Sequence, residues 1–383
     1  MMATNKDSGF ATLTITLVLV SMLVAVSVFI GKVLISDKRI TLNEIEYRVA
    51  LAAAEKGIAD AMALLKVDPT ATSVSGSLST SAASASYTVT MEQGVPIPDA
   101  WQLESVATLP NGGGTTVSVQ VVERSILNPA NAGPAAPLLV GGASTGISGN
   151  MTVVANPNGG GNGVPVSVWS GKDISGIGSM QTCHLSDYSS NDCTDTISVK
   201  TGGTVSFDSD VVDKDADFPT DLLSHVFGYG ADEWDKLEAM ATDIVSSCSN
   251  IDSPGFYIVD GGGECDIGSI PNTAAKSADE PVIALVKNAN IKAAGGNYFY
   301  GLLFSYDSEP TTAPDYTVQL TGGAQIFGAI STNHGGDILN GTFDAVYDQQ
   351  VMCNIGYCDD NSMGNGNNPF VNLMTIPGSW KDW

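Results

Sequence analysis

The chain begins with a long run that carries no charge. Residues 9–31 hold no charged side chain, and residues 10–30 (FATLTITLVLVSMLVAVSVFI) form an apolar segment of 21 residues, about 32 Å as a helix and enough to cross a bilayer once. Lys6 precedes it and Lys32, Lys38 and Arg39 follow, so flanking charge sets no orientation by the positive-inside rule. The run exceeds the roughly 7 to 15 residues of a cleavable secretory core, and no A-x-A site follows it. No proline occurs before Pro69, and Gly57 is the one glycine between Gly31 and Asp68. The continuation NEIEYRVALAAAEKGIADAMALLK is rich in strong helix formers. Its Leu51, Ile58, Met62 and Leu65 fall at i, i+7, i+11 and i+14, on one face. The pattern predicts a single rod over residues 10–66, about 85 Å long, half in lipid and half outside, stopped by Asp68-Pro69.

Beyond the rod the helical period gives way to alternation. Residues 70–86 are Ser/Thr/Ala-rich without apolar periodicity and read as a loop. Residues 87–91, 101–109 and 115–122 read as strands, the last two joined as a hairpin by Pro110-Asn111-Gly112-Gly113-Gly114. Val117, Val119 and Val121 alternate with polar residues, so a small antiparallel sheet over residues 67–126 can lay its apolar face on the Leu51/Ile58/Met62 stripe. LNPANAGPAAP, residues 127–137, carries three prolines and reads as a linker.

In residues 138–383, glycine clusters (159–161, 261–263, 295–296, 322–323, 335–336) punctuate short β-prone runs at 151–154, 165–169, 204–207, 256–259, 282–286, 298–304, 317–320, 326–330 and 338–343. This predicts a large, mainly-β domain. The stretch GGAQIFGAISTNHGGDILNGTFDAVY reads as successive coils of a β-solenoid, with a β-sandwich as the alternative because no strict repeat period is found. One helix is expected around residues 231–246, with Trp234, Leu237, Ala241, Ile244 and Val245 on one face. The fold class is therefore α+β.

Composition narrows the function. At 383 residues, 43% hydrophobic and 15% charged, the chain is too apolar for general disorder. Its formal net charge of −25 repels phosphate backbones and excludes nucleic acid as a partner. The sign is uneven: residues 1–66 carry 7 Lys/Arg against 6 Asp/Glu, and the remainder 9 against 35. A near-neutral stem therefore precedes an acidic, solvent-facing body.

The leader MMATNKDSG, the Gly9-Phe10 step, the apolar helix and EYRVALAAAEKGIADA together resemble the type IV pilin-like proteins, most of all the N-terminal region of the PilX-type minor pilins. The resemblance covers residues 1–66. It implies that a prepilin peptidase cuts between Gly9 and Phe10, leaves residues 1–9 as a cytoplasmic leader and N-methylates Phe10. It also implies a single-pass inner-membrane anchor with a periplasmic body. The helix would then be inserted into a pilus at the cell surface, with other minor and major pilins and the inner-membrane assembly machinery as partners. Most major pilins carry Glu at the fifth mature position, and here that position is Thr14. In the family the Glu neutralises the terminal ammonium of the subunit above, and an uncompensated ammonium in an apolar core costs several kcal/mol. Its absence implies a place at the filament tip or in the initiating complex. Two other readings stand beside this one. The body could be a surface or glycan-binding adhesin, with Trp169, Trp380 and Trp383 as contact aromatics. The chain could also be a minor pseudopilin of a type II secretion system, though the extra domains of those tip subunits are mainly helical.

Candidate chemistry is sparse. The six cysteines fall as near pairs, Cys183 with Cys193, Cys248 with Cys265 and Cys353 with Cys358. Loop closure is easiest at short separation, and an exported domain meets an oxidising compartment, so local disulfides are expected. Thiolate metal sites fit poorly, since no C-x-x-C occurs and His184, His225 and His334 are scattered. In FDSDVVDKDADFP, the carboxylates Asp208, Asp210, Asp213, Asp215 and Asp217 offer a calcium site centred on Asp213, Asp215 and Asp217, or simply a solvated acidic loop. The EF-hand template fails because Phe218 stands at its glycine and Ser224 at its bidentate glutamate. Residues 142–146 match G-x-S-x-G but lead toward a strand rather than a helix. No P-loop or dinucleotide fingerprint is present. The expectation is a protein that is not an enzyme and has no cofactor, unless calcium.

Overall fold

The computed structural model describes residues 8–383 apart from 69, 82, 98–99, 129–133, 143–147, 175–177, 192, 311–315, 336–338, 358–368 and 383. The chain forms two compact units. One comprises the residues up to Val122 together with Thr375–Trp383, the other Glu123–Met374.

In the first unit, helix α1 (Ser8–Val67) runs unbroken, as the lack of proline and the Ala/Leu/Glu/Lys content dictate. Its first half is apolar and exposed, Leu17 to 71% and Phe29 to 68%. The second half buries Ala50, Ala53, Ala54, Ile58, Ala61 and Leu65. These pack on β1 (Ser73–Ser79), β2 (Ser84–Gln93) and β3 (Ala100–Thr108). With β4 (Gly114–Ser125), the four strands form an antiparallel meander. Tyr87, Val89 and Met91 of β2, Trp101 and Leu103 of β3 and Val117, Val119 and Val121 of β4 fill its core.

Two expectations are corrected here. Residues 70–86 are not a loop throughout, because β1 pairs with β2 from Ser73↔Thr90 to Ser79↔Ser84. Its inward positions are Val74, Gly76 and Leu78, and two apolar side chains are too few to show an alternation in the sequence. The C-terminal residues do not belong to the β body: Ile376 N donates to Gln120 O at 2.8 Å, and Lys381 and Asp382 pair with Ser118 and Val117 of β4. They cover an edge that β4 would otherwise expose. The division thus falls within β4, between Val122 and Glu123, and again between Met374 and Thr375, rather than at a linker over 127–137.

The second unit is mainly β. Its first strands are β5 (Leu138–Val140), β6 (Ser148–Val154), β7 (Val168–Ser170), β8 (Ser179–Cys183), β9 (Thr196–Thr201), β10 (Thr204–Ser206), β11 (Val211–Val212) and β12 (Asp243–Val245). There follow β13 (Gly255–Asp260), β14 (Glu264–Asp266), β15 (Val282–Lys287), β16 (Asn290–Ala293), β17 (Tyr298–Tyr306), β18 (Val318–Leu320), β19 (Ala324–Thr332) and β20 (Leu339–Val346). Two parallel ladders dominate. One runs β12-β13-β15-β17-β19 and continues through β20, β6 and β8; the other runs β14-β16-β18-β20. β8, β9 and β10 pair antiparallel, so the sheet is mixed. Gly301 (φ +141°) and Gly328 (φ +130°) are register partners. A Cβ on Gly301 would lie 1.8 Å from Val282 O, and one on Gly328 2.0 Å from Gly301 O, so only glycine lets these backbones stack this closely.

Ala284, Val286, Ile291, Leu303, Val318 and Ile330 belong to one core, shared by the two ladders. Phe256, Ile258, Ile283, Leu285, Leu302 and Phe304, on the other face, pack with α3 (Leu222–Phe227) and α4 (Trp234–Met240), placed after the short α2 (Leu185–Asn191). Asp221 caps α3 by accepting from Ser224 N at 3.0 Å, and Gly228 closes it in the left-handed region. The helix expected over 231–246 ends at Met240. Thr242 N instead donates to Phe256 O at 2.6 Å, and β12 pairs in parallel with β13. Pairing overrides the helical spacing of Ile244, which is left 47% exposed.

Candidate functional site

Gly9 and Phe10 fall within α1, and Thr14 is exposed on it. The helix is long and apolar enough to cross a membrane. The leader, residues 1–7 of it, lies outside the described residues.

Cys183 is bonded to Cys193 and Cys248 to Cys265, with Cα separations of 5.5 and 5.0 Å. Cys353 is also disulfide-bonded, and Cys358 lies outside the described residues. Cys248 and Cys265 sit in the core between the ladders.

The acidic run is spent largely on internal bonds. Asp210 is fully buried and accepts from Ser167 Oγ at 2.6 Å and Ser198 Oγ at 2.5 Å. Asp215 accepts from Asp217 N at 3.0 Å and from Trp169 Nε1 at 2.7 Å, bonds that hold its carboxyl below the usual range. Asp213 lies 3.6 Å from Lys214 Nζ, which also reaches Asp173. Among the described residues, the one group of His, Cys, Asp and Glu close enough to share an ion is Cys183, Asp187 and Cys193. Two of its three members form a disulfide. The structure therefore does not gather Asp213, Asp215 and Asp217 around a point. Trp169 is half-buried, edge-on to Phe218 and His225, and burial pushes the His225 imidazole below its ordinary pKa. Trp380 is 44% exposed, while Trp383 and residues 143–146 of the G-x-S-x-G match lie outside the described residues.

A site that sequence reasoning missed lies on the outward face of β17, β19, β20, β6, β8 and β9. Register places Tyr298, Gln325, Asp344, Thr152, Gln181 and Val199 in one row across these six strands. At about 4.8 Å per strand the row spans roughly 24 Å. At one end Tyr300 stacks on Phe327, with ring centroids 4.6 Å apart and planes at 10°, and half-exposed Tyr298 stands 6.3 Å from the same ring. Asp344 Oδ2 accepts from Tyr188 Oη at 2.9 Å and Gln325 Nε2 at 3.0 Å, and Gln325 Nε2 also donates to Tyr188 Oη at 2.6 Å. Gln181 Nε2 reaches Thr152 Oγ1 at 3.3 Å. Beside this network lies a cavity of about 220 Å³ lined by Asn150, Thr152, Ser179, Gln181, Thr342 and Asp344 among others.

No protein-family model matches the chain, and no curated protein matches it. Among solved structures it is loosely similar to the competence-associated pilin ComZ from Thermus thermophilus, at 10% identity over 88% of this chain and 97% of that one, with a TM-score of 0.23.

Proposed function

We propose that this chain is a type IV pilin-like subunit. One observation carries the reading: a single helix whose exposed half is apolar enough to enter lipid and whose other half is sealed onto an antiparallel sheet. Such a rod can hold the protein in a membrane and then enter the apolar axis of a filament without refolding, because its lipid-facing side chains make no demand on the rest of the chain. We read it more finely as a PilX-like minor pilin, on the residues of 1–66 quoted above, placed at the tip or in the initiating complex on the strength of Thr14. The acidic body is displayed outward, and its paired parallel ladders support reading it as coils of a solenoid. Its role is structural rather than catalytic.

The test is mass spectrometry of the protein isolated from cell membranes and sheared filaments. A mature chain starting at N-methylated Phe10 supports the reading. A chain still starting at Met1, or cut near residue 31, overturns it.

A further inference from the structure

The row described above has a chemistry of its own. Amides and hydroxyls surround one carboxylate there, with Met151, Met180 and Val199 between them, and the one ammonium in the lining, Lys200, is buried and donates to Gly178 O at 2.6 Å. Among the described residues, both bonds to Asp344 go to Oδ2, which leaves Oδ1 to accept from outside. The side chains of Asn150, Ser179 and Thr342, which border the same cavity, add donors and acceptors with both capacities. The aromatic end supplies flat apolar faces with polar rims.

Alternatives fit less well. An extended peptide adds to a sheet through an open edge, but β19, β20, β6 and β8 are paired on both sides. A polyanion meets the net charge of −25 and is repelled. A greasy ligand would leave the row of Gln, Thr, Asn and Asp side chains unpaired. A ligand rich in hydroxyls, with flat C–H faces and no charge, satisfies every part. The row's length of roughly 24 Å asks for a chain of such units rather than one.

We propose that this face binds a neutral polysaccharide laid across the strands, one sugar ring against Tyr298 and the Tyr300–Phe327 stack, and the hydroxyls of the following rings on Asp344 Oδ1, Thr152 and Gln181. The carboxylate accepts a charge-assisted hydrogen bond from a sugar hydroxyl, the strongest polar contact the groove offers. The rigid parallel ladder keeps the ordering cost of binding low. This goes beyond the filament role and needs none of residues 1–66.

The experiment is calorimetric titration of the full chain in lauryldimethylamine oxide micelles, a detergent without a sugar headgroup. The probes are cellohexaose, laminarihexaose, mannohexaose and isomaltohexaose, with hexagalacturonate as the anionic contrast. At least one neutral hexaose is expected to bind. Asp344→Asn, which keeps an acceptor for Tyr188 and Gln325, should weaken it about tenfold. Tyr298→Ala, at a half-exposed position with little stake in folding, should do the same, and Trp380→Ala should leave it unchanged. Three results would each overturn the proposal: no binding of any neutral hexaose at millimolar concentration, binding of the anionic one alone, or affinities unmoved in both groove variants. Cleavage at Gly9 is untouched by all of these variants, so the filament reading stands or falls separately.

Discussion

Gly57 of α1 lies against Ser105 of β3 so closely that a Cβ on the glycine would fall 2.5 Å from Ser105 Oγ, with Tyr87 and Val89 at 2.8 and 2.9 Å. A glycine in mid-helix costs about 1 kcal/mol relative to alanine, and here it lets the helix settle onto the sheet. Gly57→Leu should push the two apart and lower the stability of this unit by about 1–3 kcal/mol, read as a shifted urea midpoint. Ser105 Oγ is itself buried without a hydrogen-bond partner among the described residues, so Ser105→Ala should be neutral or slightly stabilising in the same assay.

Thr14 offers a gain-of-function test of filament position. If the missing carboxylate confines the subunit to an end, immunogold label on the acidic body should mark filament ends in the parent and spread along the shaft in Thr14→Glu. Shaft labelling of the parent would remove the tip assignment while leaving the pilin reading intact.

The Cys248–Cys265 bond closes a loop of 17 residues inside a packed core. Replacing both cysteines by Ala should cost the body about 2–4 kcal/mol and shorten its lifetime against protease. Non-reducing peptide mapping should return Cys183 with Cys193 and Cys248 with Cys265.

Burial pushes the Tyr347 phenol up to about 12. The neutral form is the one the folded body favours, so its contribution is complete below the ordinary tyrosine value near 10 and is lost as pH rises from there to about 12. Chemical denaturation of wild type and Tyr347→Phe should differ by a constant amount up to about pH 10, then diverge by about 2–3 kcal/mol in favour of the variant. Equal pH dependence of the two would show that Tyr347 is not the responsible group.

The rod was legible because its cues are local: an uncharged run, then apolar positions a whole number of turns apart, then Asp68-Pro69. The central strands of the body were legible for the same reason, since runs such as 282–286 and 298–304 are apolar enough to announce themselves. What failed to show depended on partners far away in the chain. β1 takes its strand state from β2. Ile244 looked helical until β13 claimed its backbone, and Asp215 looked like a cation ligand although Trp169 and Asp217 already use its oxygens. The row proposed to bind sugar is the extreme case. Thr152, Gln181, Gln325 and Asp344 come from four strands with no shared motif, and the period-two pair Tyr298 and Tyr300 was its one local trace.

The body enters the chain after Val122 and leaves it before Thr375, so the small first unit is interrupted by the large second one. Under the proposed pilin reading the body is exported along the chain, and Gln120, Ser118 and Val117 of β4 then cannot meet Ile376, Lys381 and Asp382 until everything between has crossed the membrane. Pairing over such a separation is slow to close and comes last. Completion of the stem sheet is therefore a signal that the whole body has been delivered: a chain stalled in translocation or clipped within the body keeps a bare β4 edge.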